Sequence, residues 1–332
     1  GWSFGIKSEQ LQKWTDVLRK EKKVDVVIIL SHNGLEVDKK LLLNLNGVDL
    51  IISGHTHDTL PHPLVKRGNK LEKSPAKGDF VGPLLVQAGS HGKVLGRIDF
   101  EVSGGRIKEF SHKLYPIMSN AITPDPEVKS LIDKWHKPYR TKLSEKLAKS
   151  ESLLYRRDTF NGTMDSVITQ AIKAEYDAEI VFSPGYRWGT TLLPGDDITL
   201  KDVFDFTAVT YPKVWTFDLK GETLKNILED ILDNVFNEDP YQQQGGDFSR
   251  LQGLELVIDV NAPMLKRIKE IKVNGKAFNP ARKYKISAWG GNLYRAGENV
   301  RADARPVYDV VAKYLRSEKT VKMPQTDYIK LV

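Results

Sequence analysis

The sequence contains no cysteine among its 332 residues. No disulfide and no thiolate metal ligand can therefore form, although missing cysteine does not by itself identify a cellular compartment. No apolar run approaches the roughly 20 residues that a membrane-spanning helix needs, so no membrane is expected as a partner. The formal net charge of +7 is spread thinly, without an arginine-rich block, and nucleic acid is not expected as a partner either.

What the sequence does contain is an ordinary globular composition, with 40% hydrophobic and 28% charged residues. Its length is enough for two domains with normal cores. The order of apolar runs and amphipathic segments predicts an α/β fold in the first part and a mixed α/β or α+β fold in the second. Composition alone suggests no reaction, so the function has to come from motifs.

Two apolar runs in the first part, residues 26–30 and 48–52, each lead to histidine. They are short and rich in β-branched residues, which is typical of strands buried on both faces of an α/β sheet. The first leads to Ser-His-Asn-Gly at 31–34 and the second to Ser-Gly-His-Thr-His-Asp at 53–58. Residues 35–46 have helical spacing and predict a crossover helix. Ligands of such sheets bind just beyond the carboxyl ends of the strands, where both motifs lie.

Three histidines at these strand ends, His32, His55 and His57, predict a metal site. Imidazole binds divalent transition metals once one ring nitrogen is unprotonated. In extended chain His55 and His57 project to the same side, so they could serve one ion or two neighbouring ions. A lone histidine in a loop is more often structural, but three at adjacent strand ends indicate a site. His91 also follows a strand, and its role stays open between orienting a metal ligand and plain loop structure.

Gly-His-Thr-His after one strand, with Ser-His after another, resembles the last two metal motifs of the 5′-nucleotidase branch of the calcineurin-like metallophosphoesterases. The resemblance implies the second half of a metallophosphoesterase α/β sandwich, followed by a 5′-nucleotidase-type carboxyl-terminal α+β substrate domain. It also implies a dinuclear centre, taken as two Mn²⁺ ions, with His32, His55 and His57 among the ligands. The branch's upstream Asp-x-His, Gly-Asp-x-x-Asp and Gly-Asn-His motifs are missing from suitable positions. We therefore expect the chain to be the carboxyl-terminal part of a longer protein.

The predicted organisation has three parts: residues 1–115 in the metallophosphoesterase domain, 116–150 as linker and bridging helix, and 151–332 in the substrate domain. Residues 116–126 are rich in proline and indicate a linker. A long charged helix is predicted over 125–150, kinked or restarted at Pro138. Neither His112 nor His136 lies in a motif, and both are predicted to lie on the surface.

A turn in the second part marks a candidate anion site. The run Ser-Pro-Gly-Tyr-Arg-Trp-Gly at 183–189 stands where nucleotidases of this branch carry a substrate-binding arginine, and Arg187 is its match. A planar guanidinium suits a phosphate, sulfate or sulfonate group. The two aromatic rings that sandwich a base in nucleotidases are not matched, because Asp247 directly follows the glycine pair where the second ring is expected.

Three runs instead resemble the SoxB-type thiosulfohydrolases of this branch: 157–163, 187–195 and 243–247. The resemblance implies hydrolysis of a cysteine S-thiosulfonate on the flexible arm of the SoxYZ carrier protein in the periplasm, releasing sulfate and leaving a cysteine persulfide. Glycines near the turn are expected to leave room for that arm. Arg187 is the expected catalytic residue, and the predicted substrate-binding residues are Arg187, Trp188, Gly185, Asp247, Gly246, Arg157 and Asn161.

Two other functions remain open from the sequence. One is a periplasmic 5′-nucleotidase or related phosphoesterase. Assays that compare nucleotides with carrier-bound thiosulfonate as substrates would distinguish it from a thiosulfohydrolase. The other is a non-catalytic binding fragment, which gains weight from the missing upstream motifs and which metal analysis of the full-length protein would test.

Overall fold

The computed structural model describes residues 5–207, 210–243, 247–322 and 328–332. Two compact units make up the chain. The first consists of Gly1–Ser130 with Glu238–Gly245, and the second of Leu131–Asn237 with Gly246–Val332. The chain thus leaves the second unit after Asn237 and adds a short segment to the first, where Asp239 forms a 2.6 Å ion pair with Lys40.

The first unit is built mainly from short strands. Its helices are α1 (Ser8–Asp16), which continues as a π-helical turn over Val17–Glu21, and α2 (Leu35–Asn44). Its strands are β1 (Ile28–Leu30), β2 (Leu50–Ile52), β3 (Leu64–Arg67), β4 (Lys70–Lys73), β5 (Lys77–Asp79), β6 (Leu84–Val86), β7 (Val94–Ser103) and β8 (Arg106–Pro116).

A five-stranded sheet in the order β1-β2-β6-β3-β4 forms the centre of this unit, and a second sheet has the order β5-β8-β7. Strands β1, β2 and β6 are parallel. The predicted burial on both faces holds for β2 and β6 but not for β1, where Ile28 and Leu30 are 49% and 83% exposed. Helix α2 covers them with Leu41 and Leu42, both fully buried. The predicted strand–helix–strand arrangement around the histidine motifs is therefore confirmed, with α2 ending two residues earlier than expected.

The second unit is larger and mixes helices with antiparallel and parallel strands. Helix α3 (Pro126–His136) leads into it, followed by α4 (Arg140–Leu143), α5 (Thr163–Tyr176), α6 (Leu200–Phe206), α7 (Gly221–Val235) and α8 (Val307–Glu318). Its strands are β9 (Lys146–Ser150), β10 (Ile180–Ser183), β11 (Asp197–Thr199), β12 (Lys213–Lys220), β13 (Arg250–Gln252), β14 (Leu254–Ile258), β15 (Ile268–Val273), β16 (Lys276–Ala277), β17 (Lys283–Trp289), β18 (Glu298–Pro306), β19 (Thr320–Val321) and β20 (Ile329–Leu331).

Its main sheet has the order β13-β10-β17-β12-β18 and is covered on both faces. Alternation along β10 shows this directly, because Val181 packs in one core with α5 and α8, whereas Ile180 and Phe182 pack in another with α7. Two smaller sheets, β11-β9-β19 and β16-β15-β14-β20, complete the unit. The α/β prediction for the chain is confirmed.

Two local predictions are wrong. The helix predicted over 125–150 is interrupted at Pro138 and restarts as α4, as expected, but its last part is wrong, because Lys146–Ser150 is a strand paired with β11 and β19. Leu147 and Ala148 are buried there, so burial between two partner strands outweighs the helical composition of the segment. His112 is not on the surface but 6% exposed within β8. Among the described residues, no helix is long and apolar enough to cross a bilayer.

Candidate metal centre and oxyanion site

The ends of β1, β2 and β6 are level with one another. In the parallel register Leu30 lies opposite Ile52, and Ile52 lies opposite Val86. The amide of Ser31 donates to the carbonyl of Ile52 at 2.9 Å, and the amide of Ser53 donates to that of Val86 at 2.8 Å. Both histidine motifs therefore start at the same edge of the sheet.

The loops pair the histidine rings. Ring centroids of His32 and His55 are 5.0 Å apart with an interplanar angle of 66°. Those of His57 and His91 are 4.9 Å apart at 78°. The structure thus places the three predicted ligands in two ring pairs at this edge, the second of them completed by His91, whose Nδ1 lies 2.9 Å from the Ser90 hydroxyl.

Two of the predicted ligands have an unusual backbone. The φ angle is +74° at His55 and +63° at His57, in the left-handed region that residues with a Cβ rarely adopt. Such a conformation costs about 1–3 kcal/mol per residue and persists only where the surroundings impose it. Backbone strain at adjacent histidines of a strand-end loop is typical of a functional site.

The donor set fits a divalent metal in part. Imidazoles suit such ions, and the two ring pairs are close enough for neighbouring donors. However, within the residues that the structure describes, no group of three or more histidine, aspartate or glutamate side chains is arranged to hold an ion. The histidines therefore offer part of a coordination shell, as the sequence analysis expects for motifs that work together with upstream ligands.

In the second unit, the turn at 183–189 follows β10, whose neighbour β17 is parallel to it with Phe182 opposite Ala288. Arg187 lies in this turn with its side chain 16% exposed, and its Nε is 3.5 Å from Oδ2 of Asp247. Asp247 also accepts a 2.9 Å hydrogen bond from Nη2 of Arg250. Two guanidinium groups therefore share one carboxylate, which orients Arg187 and offsets the negative charge of Asp247.

A buried ionic frame supports this turn, and it was not predicted from the sequence. Nε of Arg156 donates to Asp165 at 2.7 Å, while its Nη2 donates to the carbonyl of Pro184 at 2.8 Å. Arg250, on the other side of Asp165, donates to the carbonyl of Asp158 at 2.7 Å. Arg156 and Asp165 are fully buried, so the frame holds the loops at 157–161 and 183–189 rigidly. The sequence signal for it is an aspartate, Asp165, among the apolar positions of the segment that forms α5.

Two of the predicted substrate-binding residues make contacts that support the fold. Both ends of the Asn161 amide bond the backbone of Leu251, at 2.7 and 3.0 Å. A Cβ at Gly185 would lie 2.8 Å from the carbonyl oxygen of Phe248. The glycine is required by this close approach of the chain to itself.

The remaining predicted residues are placed as follows. Trp188 stacks on Tyr186 with ring centroids 3.8 Å apart, and its Nε1 donates to the carbonyl of Thr207. Arg157 is exposed, unlike its buried neighbour Arg156. Gly246 lies outside the described residues.

Beside the turn is a cavity of about 300 Å³ at the carboxyl ends of β10 and β17. Its walls are mainly apolar and include Gly185, Ile231, Trp289 and Leu293. A crevice at this end of parallel strands is the usual ligand position in α/β sheets.

Comparison with known proteins decides the family. Residues 146–302 match the 5′-nucleotidase carboxyl-terminal domain, and residues 3–59 match the calcineurin-like phosphoesterase domain. The solved structure of the sulfate thiohydrolase SoxB from Thermus thermophilus, in complex with glycerol, is 37% identical with a TM-score of 0.89, over 99% of this chain and 58% of that one. This chain carries both domains of the 5′-nucleotidase branch of the calcineurin-like phosphoesterases, and its fold is similar to that of SoxB. The predicted half-sandwich and 5′-nucleotidase-type carboxyl-terminal domain are thereby confirmed.

More distant relatives of the chain are nucleotidases. A 5′-nucleotidase precursor, also from Thermus thermophilus, is 20% identical with a TM-score of 0.81, over 99% of this chain and 68% of that one, and it shows the shared fold. Bovine 5′-nucleotidase is 25% identical over 75% of this chain. The chain spans 46% of the bovine enzyme and 18% of the trifunctional nucleotide phosphoesterase YfkN of Bacillus subtilis.

Proposed function

We propose that the protein to which this chain belongs is a metal-dependent thiosulfohydrolase. Its substrate would be a cysteine S-thiosulfonate on a carrier protein of the SoxYZ type, in the periplasm. Water attacks the sulfonate sulfur, the bond between that sulfur and its neighbouring sulfur breaks, sulfate leaves with release of one proton, and the carrier cysteine keeps a protonated persulfide. The observation that carries this proposal is the 37% identity to SoxB across 99% of the chain, against 20% for the nucleotidase of comparable fold.

The histidines of the first unit would hold the metal. His32, His55 and His57 offer imidazole donors at one sheet edge, and His91 touches His57 at that edge. Two Mn²⁺ ions, when bound, would act as Lewis acids and supply hydroxide near neutral pH. The role of this chain would be to present its imidazoles in a fixed direction, which the left-handed backbone at His55 and His57 already sets.

Arg187 of the second unit would bind the sulfonate oxygens. Its Nε lies 3.5 Å from Oδ2 of Asp247, which orients the guanidinium, and a planar guanidinium matches the geometry of an oxyanion. A guanidinium presented in this way binds a tetrahedral anion through charged hydrogen bonds. Asp247 would act by orienting Arg187 rather than by touching the substrate, which replaces the role predicted for it from the sequence.

The experiment is a paired assay on the full-length protein loaded with Mn²⁺. We expect sulfate release from carrier-bound cysteine S-thiosulfonate and little phosphate release from AMP. His57→Ala should abolish sulfate release and lower the bound metal while the melting temperature stays near wild type. AMP hydrolysis without sulfate release would overturn the proposal, as would a His57→Ala variant with unchanged metal content and rate.

A 5′-nucleotidase is the second candidate, because one cleft in the second unit has aromatic walls. The cleft measures about 260 Å³ and is lined by Tyr211, Trp215 and Tyr294. Trp215 and Tyr294 stack with centroids 4.0 Å apart at 7°, so one face of Tyr294 is already covered. A planar base could stack on such rings. Phosphate release from AMP that falls tenfold or more in Tyr294→Ala would favour this candidate.

A further inference from the structure

A buried polar layer lies directly beneath the histidine motifs of the first unit. Asp38, on α2, is fully buried and accepts a 2.6 Å hydrogen bond from the hydroxyl of Ser31, the residue before His32. Burial raises the pKa of this carboxyl group, while the nearby side chains of Ser53 and Asn33 lower it. Asp38 therefore bonds the start of the first histidine motif and lies near the start of the second, from a single helix.

Gln87 forms the other part of this layer. It directly follows β6 and is 1% exposed. The backbone amides of His57 and Asp58 both point at it, so its Oε1 faces these donors at 3.3 and 3.0 Å. Its Nε2 then faces the hydroxyl of Ser53 at 3.2 Å. One side chain thus bonds both ends of the segment 53–58, which we name the histidine loop.

The histidine loop is also fastened to the first turn of α2. The Thr56 hydroxyl lies 3.1 Å from the Gln87 amide and 3.2 Å from the backbone amide of Leu35, which donates to it. Together these contacts connect the carboxyl ends of β1, β2 and β6 with α2. A buried side chain that bonds several groups of a loop at once restricts the conformations that the loop can adopt.

The buried polar layer bonds the part of the histidine loop whose backbone is strained. His57 and His55 have positive φ angles, and the amide of His57 itself bonds Gln87. Without these bonds the loop could relax to a backbone without strain, and its imidazoles would turn away. Side chains that orient metal ligands typically change metal affinity about 10–100-fold when they are removed.

We propose that Gln87 and Asp38 are positioning residues that hold the histidine loop in its left-handed conformation and thereby set the metal affinity of His32, His55 and His57. This inference rests on the proposed metal centre and extends it to residues that carry no metal-ligand motif. Neither side chain would touch the metal or the substrate. Each acts through the loop that it bonds.

The test compares Gln87→Leu and Asp38→Asn with Val65→Ala in the full-length protein. Val65 is 1% exposed on β3, so its truncation destabilises the same unit without touching the histidine loop. Each protein is stripped of metal, titrated with Mn²⁺ by calorimetry below its melting temperature, and examined by amide hydrogen exchange without metal. We expect Mn²⁺ affinity to fall at least tenfold in Gln87→Leu and severalfold in Asp38→Asn. Val65→Ala should melt earlier and bind Mn²⁺ as wild type does.

Hydrogen exchange separates positioning from general stability. In metal-free Gln87→Leu the amides of His57 and Asp58 should exchange faster than in Val65→Ala at equal distance from the melting temperature. Mn²⁺ affinity equal to wild type in both network variants would overturn the inference while the metal centre stands. Absence of Mn²⁺ binding by the wild-type protein would instead overturn the metal centre, and the inference with it. If Gln87→Leu does not fold, Asp38→Asn decides by the same criteria.

Discussion

At the scale of single residues, substitutions of Arg187 show whether this arginine binds an oxyanion or serves only the fold. Arg187→Ala should lower sulfate release from the carrier-bound substrate at least tenfold, since each charged hydrogen bond to an oxyanion contributes about 1.5–3 kcal/mol. Arg187→Lys keeps the charge but loses the planar fork, so it should recover only part of the rate. The melting temperature should change little, because the buried frame of Arg156, Asp165 and Arg250 remains.

The measurement is a thermal melt paired with a sulfate-release assay on the full-length protein. Arg301→Ala is the matched control, because Arg301 is an exposed arginine of the same unit. Normal sulfate release by Arg187→Ala, or collapse of its fold, would place the oxyanion clamp elsewhere.

His112 gives a pH dependence that the sequence did not suggest. Burial lowers its pKa below the ordinary value of 6.5, and the nearby ring of His62 lowers it further. Between the folded and the unfolded pKa of His112, the imidazole is protonated in the unfolded chain and neutral in the folded chain. The free energy of unfolding therefore falls as pH drops below about 6.5, until the folded pKa is reached. We expect wild type to lose stability over this range and His112→Gln to lose less.

Urea unfolding at a series of pH values between about 7.5 and about 5, on either side of the ordinary histidine pKa, would measure this difference. His136→Gln is the control, because His136 lies exposed at the end of α3. Parallel stability–pH curves for wild type and His112→Gln would contradict the assignment.

At the scale of secondary-structure elements, α7 is held by a buried ionic anchor. Asp233 accepts from Nε of Arg267 at 2.9 Å and from the amide of Leu265 at 2.7 Å, and Glu229 accepts from the amides of Arg267 and Ile268. Asp233→Ala leaves a buried guanidinium without its partner. Breaking a buried pair in this way costs about 3–5 kcal/mol.

Chemical denaturation of Asp233→Ala and of Asp230→Ala tests the anchor. Asp230 lies on the same helix but is exposed, so its truncation should change stability by less than about 0.5 kcal/mol. Equal midpoints for the two variants would show that the anchor contributes nothing.

Helices and strands were predictable from the sequence where the spacing of apolar residues within one segment was enough to determine them. The spacing of its leucines predicts the crossover helix α2. The two apolar runs predict the parallel strands, and so the position of the histidine motifs at their ends. Lys146–Ser150 was not predictable, because its partners β11 and β19 lie about 50 and 170 residues further along the chain. The same applies to the contacts of Asp247 with Arg187 and Arg250, residues that only the fold brings together around this carboxylate.

At the scale of the whole molecule, the chain divides its candidate chemistry between two units. Imidazoles lie in the first, and the arginine clamp with its ionic frame lies in the second. Each unit holds its own part with buried polar groups, Asp38 and Gln87 in one case and Arg156 with Asp165 in the other. Buried polar side chains that bond several neighbours restrict the motion of the loops that they hold, and a reaction between fixed groups requires such restriction.

Residues 1–332 by themselves offer only part of the ligands of the proposed metal centre. Within the described residues, no group of three or more histidine, aspartate or glutamate side chains is arranged to hold an ion. Two-metal hydrolysis needs the ions held as a fixed pair. We therefore expect this chain by itself to bind Mn²⁺ weakly and to release no sulfate. The full-length protein should bind two Mn²⁺ ions and release sulfate. Calorimetry with Mn²⁺ and a sulfate-release assay would test this, with His32→Ala lowering the residual binding and His136→Ala leaving it unchanged. Stoichiometric binding of two ions by residues 1–332, accompanied by hydrolysis, would show that these histidines need no further ligands.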